Sequence, residues 1–152
     1  MSILTVQHLE KHFENTKVLN DISFSLEEGQ ALSIIGSSGS GKTTLLRCLN
    51  FLETPDAGTI TVQDKVLFDA DHHANCSEKE IRKNRLHFGM VFQSFNLFNN
   101  MSVLKNCMVG QMKVLKRSKE EARQQALKYL EKVGMAPYIN AKPRQISGGQ
   151  KQ

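Results

Sequence analysis

The most informative stretch of this sequence is Gly36-Ser37-Ser38-Gly39-Ser40-Gly41-Lys42-Thr43. It fits the pattern G-x-x-x-x-G-K-[ST] at every fixed position. The apolar run at residues 31–35 predicts a buried strand before it, and residues 44–49 predict a helix after it. Phosphate-binding loops occur in this strand–loop–helix context. A glycine-serine turn without phosphate chemistry is the alternative interpretation.

The chemistry of this pattern follows from its residue types. Glycines let successive backbone N–H groups turn toward phosphate oxygens, and the helix that follows adds the partial positive charge of its N-terminus. We expect Lys42 to reach the β- and γ-phosphates of a nucleotide and the Thr43 hydroxyl to bind Mg²⁺. The expected phosphate-binding residues are Gly36, Ser37, Ser38, Gly39, Ser40, Gly41, Lys42, Thr43 and Thr44.

Length and composition indicate a soluble globular chain of one domain. The 152 residues are 39% hydrophobic and 23% charged. Residues 1–76 carry 5 Lys/Arg against 10 Asp/Glu, whereas residues 77–152 carry 15 against 5. A basic half raises the possibility of nucleic-acid binding, but the basic residues are scattered and no aromatic residues alternate with them. A solvated helix face is the preferred interpretation.

Cysteine usage and hydropathy limit the environment. Cys48, Cys76 and Cys107 are far apart and lack zinc or redox spacing, so we expect reduced thiols in a cytosolic protein. Residues 1–7 lack the basic start and apolar run of a signal peptide. No segment approaches the length of a membrane span, so we expect any membrane role to act through a partner.

Local patterns predict the remaining elements. Alternation at residues 4–6 and 18–24 predicts antiparallel strands, and residues 58–62 predict another strand. The helix after the glycine-rich loop should end near Leu52, because Pro55 forbids its continuation. Residues 87–92 predict a buried strand that ends at Gln93.

The later segments predict loops and helices. Asp69, Asp71, His72, His73 and Cys76 suggest a metal site, but their spacing favours a surface loop. Capping-box patterns predict helix starts at Ser77 with Glu80 and at Ser118 with Glu121. The second of these helices should bury Ala122, Ala126, Leu130 and Val133 on one face and stop at Gly134.

Two further motifs select a family. Ile146-Ser147-Gly148-Gly149-Gln150 resembles the Leu-Ser-Gly-Gly-Gln signature of ATP-binding-cassette (ABC) proteins, with Ile replacing Leu. Val91-Phe92-Gln93 lies between the two glycine-rich motifs, where this family carries its Q-loop. The resemblance implies that Gln93 binds Mg²⁺ or the attacking water. It also implies that the signature, whose Ser147 and glycines would open a helix, closes over the γ-phosphate held by a second subunit.

The resemblance covers essentially the whole chain. It implies that Phe13 stacks on adenine and that Val18 packs beside it, although both residues could instead be core residues. Residues 46–58, 92–98 and 118–122 are similar to the polar amino-acid uptake branch. The catalytic residues it implies are Lys42, Gln93, Ser147, Gly148, Gly149 and Gln150.

The fold expected from this resemblance is α/β, a P-loop nucleoside-triphosphatase core with an N-terminal antiparallel β subdomain and a helical insert, incomplete at the C-terminus. We expect one partial nucleotide-binding domain over residues 1–152, divided into a β and P-loop part (1–93) and a helical part (94–152). No apolar run closed by Asp-Glu follows Gln93, so the hydrolytic carboxylates of the family and its switch histidine are absent. We therefore expect ATP binding without hydrolysis by this chain.

The resemblance also implies partners. These are ATP with Mg²⁺, a transmembrane permease subunit and a second nucleotide-binding subunit, at the cytoplasmic face of the plasma membrane, with no direct nucleic-acid contact. Two alternatives stay open at this stage. One is a non-catalytic fragment that binds a membrane subunit or a homologous ATPase, and the other is a DNA-associated cassette ATPase.

Overall fold

A computed structural model describes residues 2–72 and 77–152. The chain divides into two compact units, Met1–Met90 and Val91–Gln152. The suggested metal loop falls partly outside the described residues, because it includes His73 and Cys76. Within the described residues no group of three or more His, Cys, Asp or Glu side chains is placed to hold a metal ion.

The first unit contains an antiparallel sheet of four strands in the order β2-β1-β3-β4. The predicted hairpin is confirmed, since β1 (Ser2–Phe13) pairs with β2 (Thr16–Glu27) around a tight turn. The predicted strand at residues 58–62 is also confirmed as β3 (Ala57–Val62), which pairs with β1 and with β4 (Lys65–Asp69). The sheet therefore places the end of β1 and the start of β2 at one corner.

Helix α1 (Lys42–Leu49) covers this sheet. Leu45, Cys48 and Leu49 of α1 are buried in one core with apolar side chains of the strands. The helix ends at Leu49, earlier than the expected Leu52. The strand residues of this core are Val6, Leu9, Leu19, Ile60, Val62, Leu67 and Phe68.

The first unit ends in helix α2 (Glu78–Asn84) and a 3₁₀ turn, Arg85–His87. The predicted capping box is confirmed: the Ser77 side chain accepts from the Glu80 amide, and the Glu80 carboxylate accepts from the Ser77 amide. Arg85 donates to the carbonyl of Phe51 from Nε at 3.1 Å and from Nη2 at 2.8 Å. These bonds fix the segment after α2 against the end of α1.

Two predicted buried strands are wrong. Residues 31–35 have no regular structure and are exposed, with Ile35 exposed by 93%. Residues 87–92 likewise form no strand, since His87 ends the 3₁₀ turn and Val91 is 86% exposed. A strand needs neighbours for its backbone groups, and no other part of residues 2–72 or 77–152 pairs with either segment.

The second unit is helical. Helix α3 (Val103–Lys113) and helix α4 (Lys119–Lys132) pack together, and a short helix α5 (Gly148–Lys151) follows 3₁₀ turns at Ala136–Tyr138 and Pro143–Gln145. The predicted capping box at the start of α4 is confirmed. None of the helices described in the two units is long and apolar enough to cross a bilayer.

One face of α4 was predicted correctly except at its last position. Ala122, Ala126 and Leu130 are buried, whereas Val133 is 71% exposed. Val133 is the C-cap of α4, and its amide still donates to the Tyr129 carbonyl at 3.2 Å, so it continues the helical period but lies beyond the buried part of this face. Gly134, with φ +70°, then reverses the chain as the sequence predicts.

Candidate phosphate-binding site

The glycine-rich loop leads directly into the N-terminus of α1. The N-cap of α1 is Gly41, which supplies no side-chain hydrogen bond, and the first turn contains no acidic residue. The other described α-helices are each capped by a serine: Ser77, Ser102, Ser118 and Ser147. The first amides of a helix have no partner within it, so α1 presents its amides and its positive end to a group outside the helix.

The Lys42 side chain folds back into the loop. Its Nζ donates to the Gly36 carbonyl at 2.8 Å, to the Ser37 carbonyl at 2.6 Å and to the Ser40 Oγ at 3.3 Å. These bonds hold a cation where the loop curves around the start of α1. An anion bound by the amides of α1 would therefore lie close to this ammonium group.

Backbone geometry explains two of the glycines. Gly39 and Gly41 have φ values of +81° and +88°, a region that side chains other than glycine rarely adopt. A Cβ on Gly41 would lie 2.8 Å from the Val18 carbonyl oxygen, so this site has no room for a side chain. No atom lies within 4 Å of a Cβ on Gly39, where only the backbone conformation requires glycine.

Val18 reaches the loop because of a β-bulge. Lys11 pairs with Leu19 and His12 pairs with Lys17, so Val18 is the extra residue of β2 between them. A bulge redirects a side chain and increases the local twist. Here it places both the carbonyl and the side chain of Val18 against Gly41.

The loop, α1 and the bulge enclose a cavity of about 140 Å³. Its lining brings together several of the predicted site residues, namely Val18, Gly39, Ser40, Gly41, Lys42, Thr43 and Thr44. Gly36, Ser37 and Ser38 lie in the exposed part of the loop. A concave site with backbone amides, a lysine and three hydroxyls fits a phosphate chain better than an apolar ligand.

A larger cavity of about 460 Å³ lies in the second unit, between α3, α4 and α5. Its lining is mostly apolar, with Val103, Ala126 and Leu130 among its residues. Its size alone would favour it as a ligand site. We assign phosphate binding to the smaller cavity because, of the two, it is the one that combines a cation with free helix amides.

Cys48 lies on the buried face of α1 and has no nucleophilic role. The side chain is fully buried, and burial raises the pKa of the Cys48 thiol to about 11. The thiol therefore stays protonated near neutral pH and acts as a small apolar core group.

Phe13 does not line the cavity but lies at the corner of the same sheet. It ends β1, and 43% of its surface is exposed. The Lys11 Nζ lies 5.4 Å from the centroid of the Phe13 ring, within the range of a cation–π contact. An exposed aromatic ring of this kind is a suitable surface for a planar base.

The second unit contains the other predicted site residues. Gln93 is exposed and lies outside regular structure. Ser147 caps α5, so the predicted helix start at the Ser-Gly-Gly motif is confirmed. The Gln150 amide donates to the Ser147 Oγ at 3.3 Å, and the Gln150 Oε1 accepts from the Ser147 amide at 2.9 Å.

Sequence reasoning missed two features of these sites. Gln150 was predicted for its catalytic role alone, although S-x-x-Q is also a capping box, so its spacing from Ser147 was a readable signal. The bulge at Val18 has no such signal, because the pairing register of two strands determines it.

Comparison with known proteins places these features in context. A family model described as ABC transporter matches residues 19–152. The nopaline permease ATP-binding protein P of Agrobacterium fabrum is 46% identical over 98% of this chain and 60% of that protein. The L-cystine import ATP-binding protein TcyC of Bacillus subtilis is 43% identical over 99% of this chain and 60% of that protein.

Solved structures agree with this similarity. The dimeric ATP-binding cassette MJ0796 bound to ADP and Pi superimposes with a TM-score of 0.81 at 28% identity, over 97% of this chain and 65% of that chain. The structure of cbiO1 from Clostridium perfringens gives a TM-score of 0.81 at 29% identity, over 99% of this chain and 57% of that chain. The chain thus spans about 60% of the length of the curated relatives it matches.

Proposed function

The chain belongs to the ABC transporter family, and we propose that it is the nucleotide-binding part of an importer ATPase for polar amino acids. The observation that carries this proposal is the loop at the start of α1, where the Lys42 ammonium lies beside uncapped helix amides. Relatives named for the transport of cystine, glutamine and histidine support the amino-acid class of substrate. We further propose that residues 1–152 form one partial nucleotide-binding domain.

ATP binding would use the cavity around α1. The amides of Gly39 to Thr44 and the Lys42 ammonium would neutralise the charge of the β- and γ-phosphates. Residues 36–38 would complete the loop around them. Val18 would pack beside the base, because the bulge already directs it to this cavity.

Mg²⁺ would add its positive charge to that of Lys42 beside the phosphates. The Thr43 hydroxyl fits this role, since Thr43 is exposed and lines the cavity. An oxygen ligand of this kind suits Mg²⁺, which binds hydroxyl, carboxylate and phosphate oxygens. We also propose Gln93 as a Mg²⁺ ligand through its side-chain oxygen.

The signature would act in a dimer. We propose that Ser147, Gly148, Gly149 and Gln150 contact the γ-phosphate held by a second nucleotide-binding subunit. Support comes from the fold similarity to MJ0796, a bacterial ABC transporter cassette whose structure is dimeric. The capping box fixes the backbone at the start of α5 and would hold this segment in one conformation.

Transport would require further partners. A transmembrane permease subunit would form the path that the amino acid takes across the membrane. This chain would lie on the cytoplasmic face of that membrane. Hydrolysis would depend on an Asp-Glu pair at the end of an apolar strand, and residues 94–152 contain no Asp. We therefore propose that these 152 residues bind ATP and do not hydrolyse it alone.

A chimera tests the transport proposal. Residues 1–152 would replace the matching part of the L-cystine import protein TcyC, with which they share 43% identity. In cells that lack TcyC, the chimera should restore cystine uptake, whereas the same chimera with Lys42→Ala should not. A chimera of normal abundance that binds ATP but gives no uptake of cystine or another polar amino acid would contradict the assignment to amino-acid import.

A further inference from the structure

We propose that Asp56 is a positioning residue for the nucleotide base, acting through Lys11 and the His12 amide on the exposed ring of Phe13. This inference rests on the proposed ATP binding. It concerns the corner of the sheet where β1 extends beyond the start of β3.

The first step is the backbone. Ala57 is the first residue of β3 and pairs with Glu10, so the last residues of β1 extend past the end of that ladder. The Asp56 amide donates to the Glu10 carbonyl at 2.9 Å. The Asp56 Oδ2 then accepts from the His12 amide at 2.6 Å. The carboxylate thus continues the ladder and fixes the backbone immediately before Phe13.

The second step is the Lys11 side chain. Its Nζ donates to the other carboxylate oxygen of Asp56 at 3.1 Å and to the Thr54 carbonyl at 2.7 Å. The Lys11 side chain is only 13% exposed, so these bonds are better shielded from water than an ordinary surface pair. The same ammonium lies 5.4 Å from the centroid of the Phe13 ring.

The third step is the aromatic ring. Lys11 and Phe13 are two residues apart on one strand and lie on the same face of the sheet. With its ammonium fixed by Asp56 and Thr54, Lys11 contacts one side of the ring, and 43% of Phe13 stays exposed for a base. Asp56 therefore sets both the backbone and the cation that orient this ring.

The experiment compares two ligands that differ in the base. Calorimetric titrations of the 152-residue chain would use Mg-ATP and Mg-tripolyphosphate, which keeps the phosphates but has no adenosine. Asp56→Ala should weaken Mg-ATP binding about tenfold, since stacking of a base on an aromatic ring contributes a factor of this order. It should leave tripolyphosphate binding unchanged. Unchanged tripolyphosphate binding also shows that the variant is folded around α1.

A second variant covers the case in which Asp56→Ala does not fold. Lys11→Met keeps the hydrogen bond that the His12 amide donates to Asp56 but removes the ammonium, and it should show the same ligand-selective loss. Adding Phe13→Ala to either variant should cause no further loss of ATP affinity, because each variant has already lost the stacking contact of the Phe13 ring. The matched control is Asp21→Asn, which alters a different carboxylate of the same sheet, one that pairs with the ring of His8 at 2.7 Å.

The outcomes separate the two proposals. An equal loss of affinity for ATP and for tripolyphosphate in Asp56→Ala and Lys11→Met would overturn the positioning role of Asp56. The proposed binding of ATP by the wild type would be unaffected by that result. Equal affinity of the wild type for ATP and tripolyphosphate would also overturn it, because no base contact would exist. Failure of the wild type to bind either ligand would reject the proposed function and, with it, this inference.

Discussion

At the scale of single residues, Gly41 connects the β-hairpin to the loop helix. Its φ is +88°, and a side chain here would also place its Cβ 2.8 Å from the Val18 carbonyl oxygen. Gly39 has a similar φ of +81° but open space around it. Comparing substitutions at the two sites therefore separates the cost of positive φ, which both sites share, from the cost of the steric contact with Val18, which arises only at Gly41.

We predict that Gly41→Ala weakens Mg-ATP binding more than Gly39→Ala does. An alanine at positive φ costs about 1–2 kcal/mol at either site. Only at Gly41 must the Val18 carbonyl also move, which shifts the bulge and the start of α1. Calorimetric titration of both variants measures the difference, and equal affinities would show that the contact with Val18 is unimportant.

Asp56 gives a prediction about pH. Partial burial by itself raises the pKa of Asp56, but hydrogen bonds from the His12 amide and the Lys11 ammonium outweigh it, so the folded pKa lies below the usual value. A lowered pKa stabilises the fold above the unfolded pKa of about 3.9, and this contribution is lost as pH falls through the folded pKa.

The difference in unfolding free energy between the wild type and Asp56→Asn should therefore be constant near neutral pH and shrink below about pH 4. Urea unfolding at a series of pH values measures it. A difference that grows as the pH falls would mean that the carboxyl is not stabilised in its charged form.

At the scale of elements, the helix starts depend on serine caps. The Ser118 Oγ accepts from the Glu121 amide at 3.2 Å, and the Glu121 Oε2 accepts from the Ser118 amide at 2.9 Å. We predict that Ser118→Ala lowers the unfolding free energy of the second unit by about 1 kcal/mol, whereas Ser118→Thr keeps most of it. Urea unfolding followed by circular dichroism is the measurement, and equal losses in both variants would argue against the cap.

Sequence predicted two kinds of element correctly. The boxes at Ser77 and Ser118 and the helix after Gly41 depend on neighbours within four residues, and the alternating strands β1 to β3 pair in one sheet. The segments at residues 31–35 and 87–92 were predicted as strands from their apolar runs, but a strand depends on distant partners, and none pairs with them in the described residues. The same reason explains why the bulge at Val18, and with it the full shape of the candidate site, was not predictable.

At the scale of the whole molecule, the proposed function divides between the two units. The first unit provides the phosphate loop and the exposed Phe13, and the second provides Gln93 and the signature segment. Family membership follows from residues 19–152, which include all three motifs. The proposed binding of ATP is therefore what the proposed role of this chain in import depends on.

We predict that Mg-ATP stabilises the chain against heat by an amount that grows with the logarithm of its concentration above the dissociation constant. A ligand at one hundred times its dissociation constant adds about 2.7 kcal/mol to the unfolding free energy when it binds only the folded state. The unfolding temperature should rise with Mg-ATP concentration in the wild type and in Lys65→Ala, which changes a lysine of β4. An unfolding temperature independent of Mg-ATP would contradict specific binding to the folded chain.

The most direct test of the account is a calorimetric titration of Mg-ATP into the 152-residue chain and its Lys42→Ala variant. Because the Lys42 ammonium is the cation held inside the loop, the wild type should bind ATP and the variant should lose at least about tenfold in affinity, the effect of a charge-assisted hydrogen bond. Equal affinity of the two proteins, or no binding by either, would contradict the claim that this loop holds nucleotide phosphates.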